Sequence, residues 1–577
     1  MKWKIRTIIY FFIVIIFLTM SSMMLLGCSV DDLGLLSSTD LSEEGETLNG
    51  PEIKLSEEEL FLEMKARQDK NQLSDVDIRK AIFHAVDRVR IINELFGGYG
   101  QVANSLFPID SPYWNQSWAK YSYDLKKAEE YISKAGYGID NPLYLTISSV
   151  DNSETKEIIE NIIKEDLEKI GINLWIFNTP PKELYQDRIY SGDYELGLWS
   201  MYVFNAEDLN TSFASNKIPP METEENTNCE NFYWYKNTEI DNLLKQTSGL
   251  SDTDLLKEKI IKIQDILARD AVILPLYSRL FVLAYNNNLR KIDLEVLGEK
   301  PFLNIDKWKL PYDIVVPEGE KTEISIGYES DLIDIFSGFE KYFINDLLFK
   351  GLWMSDPDGS YESVLLEDYS YGEEEYTGIP GLTISIKLKD GILWQDGSPI
   401  TSYDIKYTFE YFKTYMEENE YYSRLDEDYK KIEEINIIDE NSFYISFKDS
   451  VNNWRKLFDQ VYKEGFFDYY DPDNFPYEKI ISNGPYRIEE YDKDGKLIFE
   501  INENYYGETP DIERLIIRFD SDINNLIALL KEGEIDALSV PVDPELMSEL
   551  EENKNIELLI KPGNLMEHLA FSLKPTE

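Results

Sequence analysis

GLTISIKLKDGILWQDGSPITSYDIKYTFEYF, residues 381–412, is the stretch whose reading decides the fold. Leu382, Ile384, Ile386 and Leu388 alternate with Thr383, Ser385 and Lys387, the period-two pattern of a strand with one buried face. Lys389-Asp390-Gly391 and Asp396-Gly397-Ser398-Pro399 are built of turn residues. Thr401 stands three positions before Asp404, the spacing of a capping box, and Ile405, Phe409 and Phe412 follow at helical intervals. Strand, tight turns and capped helix in succession place the chain in the α/β class.

On the C-terminal side, residues 435–438 and 442–447 alternate as two strands joined by Asp439-Glu440-Asn441. A helix over 523–530 ends near Gly533, and Asp536 opens another strand. Towards the N-terminus, Ile78, Ile82, Ala85, Val86, Val89 and Ile92 give one apolar helical face stopped by Gly97-Gly98, with His84 beside it as a helix-surface residue. Residues 142–150 read as a strand. A helix through Ile158, Ile162 and Leu167, closed by Gly171, leads to a second strand over 172–177. Such a βαβ unit builds parallel sheet with a ligand crevice at the strands' carboxyl ends. Residues 193–199 give the next strand. Phe232-Tyr233-Trp234-Tyr235 is an aromatic run, for which core packing is the commoner use and ligand stacking the alternative. A helix over 255–268 and a strand over 273–277 follow.

Trp394, Asp396-Gly397, Pro399, Thr401 and Asp404 resemble the signature of peptide/nickel-type solute-binding lipoproteins, the extracytoplasmic receptors of ABC importers. Ser482-Asn483-Gly484-Pro485-Tyr486 resembles that family's G-P-Y turn, and Asn504-Tyr505-Tyr506-Gly507 continues the likeness. Leu73-Ser74-Asp75 through Asp87-Arg88 resembles the helix that opens the family's second lobe. The resemblance runs from Leu73 to Pro575, in exchanged order: relatives run from the Glu323-like strand to the Phe571-like strand and only then into the Leu73-like helix. That order fits a circular permutation or adjacent halves of two tandem copies. It divides the chain into a signal peptide (1–28), an acidic spacer (29–65), a region like the family's C-terminal half (66–312), a linker (313–322) and a region like its N-terminal half (323–577). For a permuted receptor, the segment from about Leu294 to Lys321 is the new connection between the old ends, and Phe571 comes to lie near Leu73. The implied fold is a two-lobed periplasmic-binding-protein-like α/β fold with mixed sheets and a crevice between the lobes.

The resemblance also implies site residues. In relatives, the strand matching 193–199 leads to a loop whose acidic residue pairs with the ligand's α-ammonium group. Here the text is Trp199-Ser200-Met201-Tyr202, so Tyr202 stands where relatives carry the acid, Asn205 where they carry the next Asp, and Glu207 and Asp208 follow a few positions late. Trp199, Tyr202, Asn205, Glu207, Asp208, Gly484 and Trp394 are the candidate ligand-binding residues, with weak dependence on a free α-amine expected. No cofactor or metal is implied.

Lys2, Lys4 and Arg6 precede an uncharged run that holds Leu25-Leu26-Gly27-Cys28, the form of a lipoprotein signal with Cys28 as the lipidated residue. An uncleaved membrane anchor is the alternative reading of so long an apolar run. The net charge of −52 argues against nucleic acid and against a basic membrane-binding patch. With two cysteines, Cys28 and Cys229, a lipidated Cys28 leaves no intrachain disulfide. Two histidines, His84 and His568, leave little for a His-based metal site or a triad, and the sequence carries no phosphate-cradling Gly loop. The expectation is a monomeric, non-enzymatic receptor on the outer face of a bacterial membrane, taking a solute, most readily a peptide, for an ABC permease. A non-transporting surface lipoprotein and an extracellular hydrolase are the alternatives. Mass spectrometry of the mature protein checks the anchor: it should begin at a diacylglyceryl-modified Cys28, and Cys28→Ser should remove the lipid. A mature start elsewhere removes the lipoprotein assignment.

Overall fold

The computed structural model describes residues 56–68, 72–109, 111–203, 206–220, 229–247, 253–287, 289, 302, 304–309, 321–330, 342–355, 361–372, 382–418, 429–448, 454–469, 477–492 and 495–575. The signal peptide with Cys28, the spacer up to residue 55 and the linker up to residue 320 lie outside these residues. From Leu60 onward the chain forms one body.

The strands are β1 (Leu143–Ser148), β2 (Ile172–Ile176), β3 (Leu196–Tyr202), β4 (Ile273–Asn286), β5 (Glu323–Glu329), β6 (Trp353–Ser355), β7 (Tyr361–Ser363) and β8 (Leu366–Gly372). They continue with β9 (Thr383–Leu388), β10 (Ile432–Ile437), β11 (Ser442–Phe447), β12 (Tyr486–Asp492), β13 (Lys496–Ile501), β14 (Arg514–Asp520), β15 (Ala537–Val540) and β16 (Ile556–Phe571). Among the described residues, ten strands form one sheet in the order β12-β13-β14-β5-β15-β4-β16-β3-β1-β2, and β10-β11-β9-β8 form a second. The large sheet is mixed: β14, β5 and β15 are parallel, as are β3, β1 and β2, while β4 and β16 run antiparallel to each other.

The opening stretch folds as its residues direct. In β9, Ile384, Ile386 and Leu388 are buried while Ser385 and Lys387 are exposed. Gly397 turns the chain at φ +81°, a left-handed conformation that suits glycine. The helix Ser402–Glu418 then starts from Thr401, whose hydroxyl accepts from Tyr403 N (3.3 Å) while its own N–H donates to Asp404 Oδ2 (2.8 Å). The reciprocal half of the box is therefore made by an aspartate. The same carboxylate accepts from Trp394 Nε1 (3.4 Å) and Glu464 N (2.9 Å), so Asp404 ties turn, helix and a remote loop together.

Two large cores result. One, the second lobe, takes its buried side chains from residues 73–277 together with Met566, Leu569, Ala570 and Phe571. The other, the first lobe, takes them from residues 281–537, with a smaller cluster around Val282, Leu526, Leu538 and Ile556 on the far face of the sheet. β4 and β16 belong to both lobes: Tyr277 lies in one core and Phe281 in the other. The ladder bends where they cross. Pro562 pairs with Leu280, yet the next pair is Met566 with Ser278, so β16 carries extra residues there, and Pro562 has no N–H to leave unpaired.

The structure corrects two expectations. The helical face from Ile78 to Ile92 is two helices, Val76–Ala85 and Arg88–Phe96, because Asp87 accepts from Arg90 N (3.0 Å) and caps the second. His84 is buried, not on the surface: its Nδ1 lies 3.0 Å from Ser122 O and its ring stacks 5.9 Å from Tyr131. Phe302, Ile305 and Trp308, which fall within the expected 294–321 connection, are buried in the first lobe's core.

Phe571 is fully buried with its ring centroid 5.7 Å from that of Phe83, so residues far apart in the chain complete one core. Phe571→Ala should lower stability by about 3–5 kcal/mol in urea unfolding. A loss under about 1 kcal/mol means that the end of β16 does not complete that core.

Candidate functional site

The carboxyl ends of β1, β2 and β3 are where a βαβ sheet opens its crevice. β3 alternates there: Ser200 and Tyr202 face one side of the sheet, Trp199 and Met201 the other. Trp199 is buried, with its ring centroid 5.3 Å from Tyr194, 5.4 Å from His568 and 6.2 Å from Tyr233. Tyr233 in turn stacks on Phe213 at 5.2 Å and shares a 3.0 Å hydrogen bond with His568 Nε2. Burial holds the His568 pKa down to about 3, helped by the Lys156 charge, so the imidazole is neutral. Of the aromatic run, Tyr233 and Tyr235 are therefore core residues.

Tyr202 is half exposed at the end of β3, on the face opposite Trp199. Asn205 lies outside the described residues; Glu207 and Asp208 fall in the helix Ala206–Phe213, where Asp208 is buried. Trp394 is wholly buried in the first lobe. Gly484 packs against the end of the helix Tyr342–Leu348: its N–H donates to Leu348 O (2.8 Å), and a Cβ there would stand 2.4 Å from Leu347 O. Asn483 clamps the same turn, accepting from Lys350 N (2.8 Å) and donating to Lys350 O (3.0 Å). The structure thus gives Trp394 and Gly484 scaffold partners and leaves Tyr202 facing outward.

On the Tyr202 face lies a polar group that the sequence reading did not single out. Glu567 of β16 is buried beside Ser200, its partner across the ladder, and accepts from Ser200 Oγ (2.9 Å). Its other oxygen holds the Lys156 ammonium at 2.5 Å. Lys156 belongs to the first turn of the helix Glu154–Glu168, which follows β1 and so begins at the carboxyl edge. Nearby, the Arg188 guanidinium lies 4.2 Å from the centre of the exposed Phe177 ring and donates to Ser148 Oγ (2.8 Å). Tyr185, three residues before it and 40% exposed, is raised in pKa by the packing of the covered part of its side chain and by the charge of Glu567. The legible signal was Glu567-His568, two polar residues inside the otherwise apolar run from Leu565 to Phe571.

One turn beyond Lys156, Glu160 is fully buried. Asn178 Nδ2 donates to its Oε2 (2.7 Å), while Oε1, Ser149 Oγ and Thr179 Oγ1 are buried without protein partners.

Two cores joined by a shared pair of strands define a two-lobed architecture. Comparison with known proteins gives the family. The model for bacterial extracellular solute-binding proteins, family 5 (Middle), matches residues 21–217 and 372–576, together more than half of the chain, and the chain belongs to that family. Among curated relatives, the oligopeptide-binding protein AppA of Bacillus subtilis is 26% identical over 271 residues, covering 42% of this chain and 45% of AppA. The glutathione-binding protein GsiB of Escherichia coli K12 is 26% identical over 219 residues, covering 37% of this chain and 41% of GsiB. The chain thus spans under half the length of the curated relatives it matches. Among solved structures, NikZ of Campylobacter jejuni with Ni(L-His) is 22% identical over 41% of this chain and 46% of that one, with a TM-score of 0.35.

The burial of Glu160 has a consequence in pH. Desolvation raises its pKa from 4.5 to about 7, against the Asn178 hydrogen bond and Lys156. The folded protein holds this proton more tightly than the unfolded chain does. The contribution is therefore complete below about pH 4.5 and is lost as pH rises to about 7. Glu160→Gln should remove a loss of about 3 kcal/mol across that window, read as urea stability at several pH values. An unchanged slope contradicts this account.

Proposed function

We propose that this protein is a lipid-anchored, monomeric receptor that closes its two lobes over a peptide-like solute and presents it to the permease of an ABC importer. The observation that carries the reading is the crossing of β4 and β16 between two separately packed cores, with the ladder broken at Pro562–Met566. A pair of strands shared by both cores, whose ladder shifts register at Pro562–Met566 and again at Glu567–His568, lets two bodies rotate while each core stays packed, which is hinge closure around a ligand with no chemistry performed. Family membership and the likeness to an oligopeptide-binding protein support the solute class. The regions 66–312 and 323–577 serve as the exchanged halves of one receptor, and Trp199, Tyr202, Asn205, Glu207, Asp208, Gly484 and Trp394 as the residues that form or support the solute's place. Anchoring through Cys28 keeps the receptor at the outer membrane face.

Thermal unfolding against pools of short peptides tests this reading. A ligand present at a hundred times its Kd stabilises the closed form by about 2.7 kcal/mol, so a binding pool should raise Tm by a few degrees. If no pool of any length raises Tm, the peptide assignment falls.

A further inference from the structure

Glu567 is a carboxylate on the face that Tyr202 shares, one strand away from it, at the edge where the sheet meets the crevice. Both its oxygens are engaged inside the protein: one by the Lys156 ammonium, the other by the Ser200 hydroxyl. Glu567 is 1% exposed and Lys156 9%. The cation that neutralises this carboxylate is therefore supplied by the protein and largely withdrawn from water. A second ammonium brought to this carboxylate would meet Lys156 as a like charge, at oxygens that each already accept a hydrogen bond. The guanidinium of Arg188, fixed by Ser148 and by the Phe177 ring, adds positive charge at the same edge from the opposite, Trp199 face of the sheet. Phe177, Tyr185 and Tyr202 are exposed along this edge, and Lys182, Glu183 and Asp187 are exposed beside Tyr185.

We propose that Lys156 is a built-in ammonium that occupies the charge site of Glu567, and that the solute end lying over β3 and β16 is consequently neutral, an N-blocked or otherwise amine-free peptide-like group resting on Tyr202 and Tyr185. The inference rests on the solute-capture reading for its ligand class, while the assignment of Lys156 to the carboxylate stands on geometry alone. Lys156 is then a specificity-determining residue: it refuses the charged amine that a bare carboxylate at this place would attract.

The experiment has two arms. In the first, Lys156→Ala is titrated with ethylammonium chloride and followed by thermal unfolding. The variant should melt below the native protein, and ethylammonium should restore at least half of the lost Tm. Sodium chloride at the same concentration should not, and Lys156→Ala/Glu567→Gln should not respond to ethylammonium. Should Lys156→Ala fail to fold, Lys156→Gln carries the same comparison. Absence of ammonium-specific rescue overturns the assignment. In the second arm, peptides are offered in free and N-acetylated form. The native protein should bind the two forms within about threefold, and Lys156→Ala should favour the free amine at least tenfold more than the native protein does. A native preference of tenfold or more for the free amine overturns the proposal, as does an unchanged preference in the variant. If no peptide of either form binds, the peptide class proposed for the receptor is wrong, and the rescue arm alone decides the role of Lys156.

Discussion

The antiparallel ladder between β4 and β16 is the constraint on which the other parts depend. Each strand is long enough to serve two cores, so its alternating side chains satisfy different neighbours at its two ends. In the second lobe, Ile273, Leu274 and Leu276 pack with Leu569 and Phe571; in the first, Leu283 and Ala284 pack to opposite faces of the same sheet. Backbone hydrogen bonding makes the two strands one object, and a shift of register by one residue would exchange every buried side chain for its neighbour. The break at Pro562 is the place where continuity is relaxed. Glu567 sits close by, at a second register shift of the same ladder between Glu567 and His568.

Much of this was legible in the residues. Period-two alternation marked β9 and β11, and the βαβ pattern marked β1, the helix Glu154–Glu168 and β2, because each has a single buried face with a clean period. Failures came where a local rule was outvoted. Asp87 looked like part of a continuous helical face, and only its carboxylate, bonded to Arg90 N, shows that one helix ends and another begins. His84 looked exposed because burial depends on what packs from elsewhere, here Tyr121 and Tyr131. The length of β4 and β16 was missed since each changes environment halfway along.

The site was harder to read than the fold. Motif likeness pointed to Trp394 and Gly484, whose partners in the structure are within the first lobe: the indole donates to Asp404, and the glycine admits the end of a helix. Asp396 in the same signature is likewise structural; burial pushes its pKa up, but Lys463 and Ser398 hydrogen bonds hold it at about 2. Glu567 and Lys156 are separated by most of the chain, and no spacing rule joins residues that meet only across a sheet. Their pairing also carries an energetic lesson. A buried ion pair contributes little net stability over an apolar pair of similar volume, whereas deleting one partner leaves a charge without solvent. Such a pair marks a place where charge matters more than stability.

The exchanged order of the halves has a consequence in time. β3 and β4 are made early, but the strand that lies between them, β16, is made long after. Until it arrives, both flanking edges of the second lobe lack their partner and its core lacks Met566, Leu569 and Phe571. Non-local closure of this kind is slow. Until then the early half is an unfinished body with unpaired margins, and dense negative charge favours its staying apart from its neighbours. β16 acts as the clasp that ends that exposure.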